Sequence, residues 1–384
     1  MIFLDNASTT QIYDEVNKLI FETNRDLFYN PSALYQNAID VSNKVMEAKQ
    51  ELAKNMGTTG DHIIFTSGAT EANNMATVGL QTGKKDAEYI FGSGEHPSVF
   101  NVANNLKNQN KIVKFVPLST DGTISVENLK NMLNENTHFV SVMHVSNETG
   151  AINDIKALCK VIKDYNKNII FHCDGTQAFG KIPVNVQDLG VDAYTISAHK
   201  FHGPKGVGAI YINNLNKLKP LILGGGQQKN YRSGTENVSG ILGLCLASKI
   251  TTERLIDNFD IISQYREYVK SQIKSNCSDA IFNESENNSP YILSVSFKNL
   301  RGEVLLHMLE KVGVLVGTGS ACSSKKQGNR VLENMKVKTE YVLGSIRISF
   351  SSFNTFDEVK TATEKIIEQY KILKENMKKW KEWF

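Results

Sequence analysis

Up to about residue 240, short apolar runs alternate with amphipathic stretches, and this alternation constrains the fold more than any other feature of the chain. Strand-like runs are His62–Thr66, Tyr89–Gly92, Lys111–Pro117, Phe139–Val145, Ile169–Cys173, Ala193–Ser197 and Gly208–Ile212. Between them lie helix-like segments, among them Ser32–Met56, Glu71–Leu80, Val99–Asn105, Val126–Leu133 and Ile155–Asn166. Such alternation predicts an α/β fold around a largely parallel sheet with helices on both faces. Past about Gly240 the pattern changes. Longer helices, Ile241–Lys274 and Phe356–Trp383, enclose strands near Tyr291–Phe297 and Ser345–Phe350, which predicts a smaller α+β unit joined by the N-terminal strip Asp5–Thr10.

Composition narrows the function classes. Lys and Arg number 43 against 40 Asp and Glu, so no strong pull toward nucleic acid or membrane is expected. The five cysteines are scattered and form no CxxC, which argues against a disulfide framework or a zinc site and fits a reducing cytoplasm. No run reaches the apolar length of a membrane span, and the start MIFLDNASTT does not read as a signal peptide.

The most informative stretch is Ser197–Gly206, SAHKFHGPKG, which follows an apolar strand. Lys200 is thereby placed on a strand-terminal loop, where ligands of parallel sheets gather. A lysine that forms a Schiff base has to be fixed, partly desolvated and close to phosphate donors, and Ser197 and His199 can supply those donors. A glycine-rich surface turn is the plainer alternative. Upstream, the strand Ile169–Cys173 runs into Asp174, with Gln177 just beyond. A buried carboxylate beside a pyridine nitrogen keeps that ring protonated for carbanion chemistry. Alone, such an Asp reads as a helix cap; paired with Lys200 it reads as a cofactor ligand. Ser67–Asn74, SGATEANN, opens a helix after another strand, so the amides of Ala69 and Thr70 suit an anion. His96, at a third strand end, can stack on a cofactor ring and exchange protons, although a lone histidine is also a common structural residue.

Cys322 is the candidate nucleophile. Its run Gly317–Gly328 is rich in Gly, Ser and Lys, which predicts an exposed, mobile loop whose lysines favour the thiolate. The other cysteines, Cys159, Cys173, Cys245 and Cys277, sit in apolar or helical contexts and read as small core residues. Arg347, on the strand near Ser345–Phe350, has the planar donor pair that captures a carboxylate; a surface arginine is the alternative.

In this order and combination the motifs resemble the class V, fold-type I pyridoxal-phosphate enzymes, and specifically the cysteine desulfurases with a long SGSAC-type cysteine loop. The likeness runs from Leu4-Asp5-Asn6-Ala7 and Asn30-Pro31-Ser32 through Asn147-Glu148-Thr149-Gly150 and Arg232–Asn237 (RSGTEN) to Gly319–Ser323 and Arg347. Gly175 departs from it, standing where alanine is common. The resemblance implies a large domain, 14–255, with a mainly parallel seven-stranded sheet, and a small domain, 1–13 with 256–384, that carries the cysteine loop. It implies pyridoxal 5'-phosphate on Lys200, with Asp174 at the ring nitrogen, His96 over the ring, and Gln177 and Asn147 near its hydroxyl. The phosphate falls to Ala69, Thr70, Ser197 and His199, with Thr235 reaching over from the second subunit of a homodimer. Arg347 and Asn147 hold the carboxylate of L-cysteine, Cys322 takes its sulfur, and a sulfur-acceptor protein follows, either an iron–sulfur scaffold or a tRNA-thiolating enzyme. The alternatives are a selenocysteine lyase or another class V enzyme lacking only the Cys322 chemistry, and a non-catalytic partner protein with the same fold.

Overall fold

The computed structural model describes residues 1–319 and 329–382, with side chains through Met377. The strands in chain order are β1 (Ile2–Leu4), β2 (Ile63–Thr66), β3 (Glu88–Gly92), β4 (Ile112–Val116), β5 (Thr137–Met143) and β6 (Ile170–Asp174). They continue as β7 (Ala193–Ser197), β8 (Gly208–Ile212), β9 (Ala280–Phe282), β10 (Ile292–Phe297), β11 (Val314–Val316) and β12 (Ser345–Ser349). All seven strands expected before residue 240 are present, each within two residues of its expected ends.

Those seven form one sheet in the order β2-β8-β7-β6-β5-β3-β4. Only β8 runs against its neighbours; the pairs from β7 through β4 are parallel. Every residue of β2, β3, β6, β7 and β8 is buried, as expected for strands covered by helices on both faces. That burial explains why these strands read as predominantly apolar runs without a polar face. Because neighbouring strands run the same way, their carboxyl ends gather along one edge of the sheet, and Thr66, Gly92, Asp174 and Ser197 all lie at such ends.

A second core joins the two ends of the chain. Leu4, Val316, Ile348 and Ile366 share it with residues of β10 and of the helix Leu255–Asn276. Here β9, β10 and β12 form an antiparallel sheet, and β1 pairs in parallel with β11. Val331, Leu332, Met335 and Val342 return to the core of the large sheet.

Two boundaries differ from the sequence expectation. The helix expected over Ile241–Lys274 is two helices, Val238–Glu253 and Leu255–Asn276, broken at Arg254. The first packs on Asp14–Asp26 and Gln36–Asn55, the second on Phe356–Glu382, so the break lies where the packing partner changes. The helix expected from Ser32 starts at Gln36, because Asn30 accepts the amide of Ser32 through its side chain (2.9 Å) and that of Ala33 through its carbonyl (3.0 Å).

Candidate active site

Asp174 closes β6 and is buried; its Oδ2 accepts from Asn73 Nδ2 at 2.8 Å and its Oδ1 from the Thr176 amide at 3.0 Å. Lys200 ends the single turn Ala198–Lys200 that leaves β7. Its amine donates to the carbonyl oxygens of Ala7 (2.8 Å) and Ser8 (2.7 Å). Burial first, and then the charge of Arg347, push that amine down to about 8, against the opposing pull of Asp5 and Asp174. An amine so lowered is neutral far more often near pH 7 than an ordinary lysine, and the neutral form is the one that attacks a carbonyl.

The N-terminal strip is the floor of this site. Gln177 Nε2 donates to the same Ala7 carbonyl at 2.8 Å, while its Oε1 accepts from the buried Lys181 at 2.8 Å. Burial, with Lys200 and Arg347 adding to it, brings Lys181 down to about 7. With its oxygen engaged by Lys181 and one N–H by Ala7, Gln177 has only its second N–H left to give. His96 is exposed at the site and caps the helix Pro97–Asn108. Although it opens to the site, its imidazole is held below the usual histidine range, chiefly by partial desolvation among its neighbours, with Lys200, Arg330 and Arg347 adding and Asp174 opposing.

An anion seat lies alongside. Gly68 opens the helix Ala69–Gly79 at φ +151° and ψ −179°, a conformation that glycine alone adopts easily. A Cβ at Gly68 would lie 3.8 Å from Ser197 Oγ, so the helix start faces the end of β7. The amides of Ala69 and Thr70 stand in the first turn, where no earlier helical carbonyl can take them. His199 engages Thr9 Oγ1 through Nδ1 at 3.1 Å and is pushed to about 4, mainly by burial and then by Lys200, Lys205 and Lys181. It is therefore neutral near pH 7. Glu71 accepts the Ser67 amide at 2.8 Å and pairs with Arg232 at 2.9 Å, which ties Arg232–Asn237, with an exposed Thr235, to the same rim. A helix-start anion seat, a buried carboxylate and a lysine of lowered pKa are the donor set that pyridoxal phosphate needs, so the residues fit that cofactor.

On the other side, Arg347 of β12 is buried. Its Nη2 pairs with Asp5 Oδ1 at 2.7 Å and its Nη1 donates to the Asn147 carbonyl at 2.8 Å. Its Nε is buried without a hydrogen-bond partner among the described residues. Gly317, just past β11, exchanges both backbone hydrogen bonds with Arg347 (2.9 and 2.7 Å), so the chain that leads to Cys322 departs from this arginine. Cys322 itself lies outside the described residues. The remaining four cysteines are buried. Burial raises all four thiols: Cys159 to about 11, Cys277 to about 12, Cys245 higher still, and Cys173 far up with the added repulsion of Asp174. None of these four offers a thiolate near neutral pH.

The structure thus brings Lys200, Asp174, Gln177 and His96 to the carboxyl edge of the large sheet, and Arg347 of β12 joins them from the small sheet through the N-terminal strip that holds both it and Lys200. It also supplies groups that the sequence reading left without a role: the carbonyls of Ala7 and Ser8, and the side chains of Asp5, Asn73, Ser98 and Lys181. Asp5 and Ala7 lie in the LDNA motif and Asn73 in SGATEANN, so the signal was present but its chemistry was not. The departure at Gly175 has a packing reason. A Cβ there would fall 2.0 to 2.4 Å from atoms of the Tyr194 ring, which is buried and bonded through its hydroxyl to His144 at 2.8 Å.

This architecture is that of the fold-type I pyridoxal-phosphate enzymes, and the chain belongs to the class V aminotransferase family, whose model matches residues 2–361. Within that family it falls among the cysteine desulfurases. It is 36% identical to the cysteine desulfurase IscS of Dictyoglomus turgidum over 99% of this chain and 98% of that protein. It is 33% identical to the cysteine desulfurase IscS 1 of Archaeoglobus fulgidus over 95% of each. A solved NifS-like protein superposes with a TM-score of 0.92 at 34% identity, covering 97% of this chain and all of that one. Among the described residues no helix is long and apolar enough to cross a membrane.

Proposed function

We propose that this chain is a pyridoxal-phosphate-dependent cysteine desulfurase that converts L-cysteine to L-alanine and leaves the sulfur as a persulfide on Cys322. The observation that carries the reading is the N-terminal strip that joins the two sheets' residues, its Ala7 and Ser8 carbonyls taking Lys200 and its Asp5 holding Arg347, from which the chain leading to Cys322 departs.

In this reading Ala69, Thr70, Ser197 and His199 hold the phosphate, Asp174 faces the ring nitrogen, and Gln177 with Asn147 lies by the ring hydroxyl. Bound cofactor supplies an electron-poor ring that accepts the electron pair left at the substrate Cα. Arg347 grips the substrate carboxylate, and Asp5 and the Asn147 carbonyl keep its guanidinium from turning. Lys200, with an amine near pKa 8, removes the Cα proton and later returns one. His96 attends the substrate sulfur, which its imidazole can hold by a hydrogen bond. The Cys322 thiolate attacks that sulfur: a sulfur–sulfur bond forms, the carbon–sulfur bond breaks, and protonation of the remaining three-carbon fragment gives alanine.

The same reading divides the chain into 14–255 and 1–13 with 256–384, and it pairs two copies so that Thr235 reaches the partner's phosphate site. Exposed Phe28, Leu34 and Leu223 support an apolar subunit contact. The persulfide passes to a sulfur-acceptor protein in the cytoplasm, an iron–sulfur scaffold or a tRNA-thiolating enzyme.

Mass spectrometry after brief exposure to L-cysteine tests the proposal. One extra sulfur on the Cys322 peptide is expected, and Cys322→Ala should keep the cofactor's visible absorbance while releasing almost no alanine. Sulfur mapped to Cys173, or undiminished alanine from Cys322→Ala, overturns it.

A further inference from the structure

A run of hydrogen bonds leads from Asp174 to His96, and each donor and acceptor in it can be assigned. A carboxylate oxygen accepts, so the Asn73 atom 2.8 Å from Asp174 Oδ2 is the amide nitrogen. The same nitrogen gives its second proton to Ser98 Oγ at 2.8 Å. Having accepted there, the Ser98 hydroxyl has one proton to give, and His96 Nδ1 stands 2.8 Å away to take it. The Ser98 backbone N–H aims at the same ring nitrogen from 3.2 Å. Two donors therefore converge on Nδ1, which must carry the lone pair, and in neutral His96 the proton sits on Nε2. Nε2 makes no hydrogen bond among the described residues and is left for a ligand.

The arrangement is imposed and not incidental. Asn73 and Ser98 are both buried, and Asn73 Oδ1 is left without a partner among the described residues. The amide has been turned by its two acceptors at the expense of its own oxygen. Each residue comes from an element that the fold fixes independently: Asn73 from the helix Ala69–Gly79, Ser98 from the first turn of Pro97–Asn108, Asp174 from the end of β6.

We propose that Asn73 and Ser98 are positioning residues that hold His96 in its Nε2–H form and tie its orientation to Asp174. His96 then meets the ligand as a hydrogen-bond donor through Nε2. That suits holding a thiolate sulfur and does not suit drawing a proton from a thiol, so the role of His96 at the substrate sulfur narrows to stabilising it. The substrate in this statement rests on the desulfurase reading; the tautomer does not. The charged groups around the imidazole are Asp174 from β6, which favours a proton on it, and Lys200 after β7, Arg330 from Arg330–Asn334 and Arg347 from β12, which oppose one.

The test is histidine ring-carbon NMR on protein labelled with 13C-histidine, loaded with pyridoxal phosphate and free of L-cysteine. The δ2 carbon separates the two neutral tautomers, and the His96 signal is identified by its loss in His96→Gln. The wild type should show the Nε2–H form. Ser98→Ala removes one of the two donors on Nδ1, which had favoured the neutral ring, so the titration midpoint should rise by about 0.5 to 1 pH unit and the tautomers should mix. Ser98→Thr keeps the hydroxyl and should restore both. Asn73→Ala frees the Ser98 hydroxyl to turn away and should shift the midpoint in the same direction. With L-cysteine supplied, Ser98→Ala should lose ~10-fold in kcat with KM within about twofold. An Nδ1–H wild type, or a folded Ser98→Ala with unchanged tautomer and midpoint, overturns the proposal. Failure of the desulfurase reading appears separately, as a wild type that makes no alanine whatever its His96 signal.

Discussion

The lowered pKa of Lys200 can be read directly from how fast cofactor-free protein captures pyridoxal phosphate as pH is varied. Capture needs the neutral amine. With a pKa of about 8, the neutral fraction is ~9% at pH 7 and ~91% at pH 9, a tenfold rise that then levels off. An ordinary lysine near 10.5 would climb ~100-fold over the same range and keep climbing. The two cases differ in shape as well as size. The cause can be varied too: the Arg347 charge is the second contribution to the shift after burial, so Arg347→Met should move the midpoint upward. Stopped-flow absorbance of the bound cofactor is the assay, with Lys200→Ala as the blank. A rate still rising tenfold per pH unit beyond pH 9 would refute the argument that burial and Arg347 prepare this amine. So would an Arg347→Met midpoint at or below that of the wild type.

Two further outcomes follow from the packing around Asp174. Asp174→Ala removes the acceptor of both Asn73 and the Thr176 amide, so it should cost about 1–3 kcal/mol in denaturant unfolding. It should also lower alanine formation by ~100-fold or more while cofactor still binds; near-wild-type turnover would mean that another acid serves the ring. Gly175→Ala drives a methyl into the Tyr194 ring and should destabilise by about 1–3 kcal/mol, and an unchanged unfolding midpoint would show that the ring yields freely.

Much was legible in the chain itself. Strand runs of the large sheet are buried on both faces, so they read as predominantly apolar segments, and their order with the intervening helices carried the fold class. Lys200, Asp174, His96 and the start of Ala69–Gly79 were also accessible, because each follows a strand end and local order places strand ends together in a parallel sheet. What sequence could not supply were contacts between segments far apart in the chain. The Ala7 and Ser8 carbonyls meet Lys200 from nearly two hundred residues away, and Asp5 meets Arg347 from still farther. No periodicity encodes such pairs. A three-residue strand such as β1 or β11 is too short to show a pattern, and it exists only because the other is there to pair with it. The same holds for Asn73 and Ser98, for which no role was legible along the chain. Ser98 meets His96 locally, but Asn73 reaches Ser98 and Asp174 only when the sheet brings their elements together, and that link is what fixes the Ser98 hydroxyl toward His96.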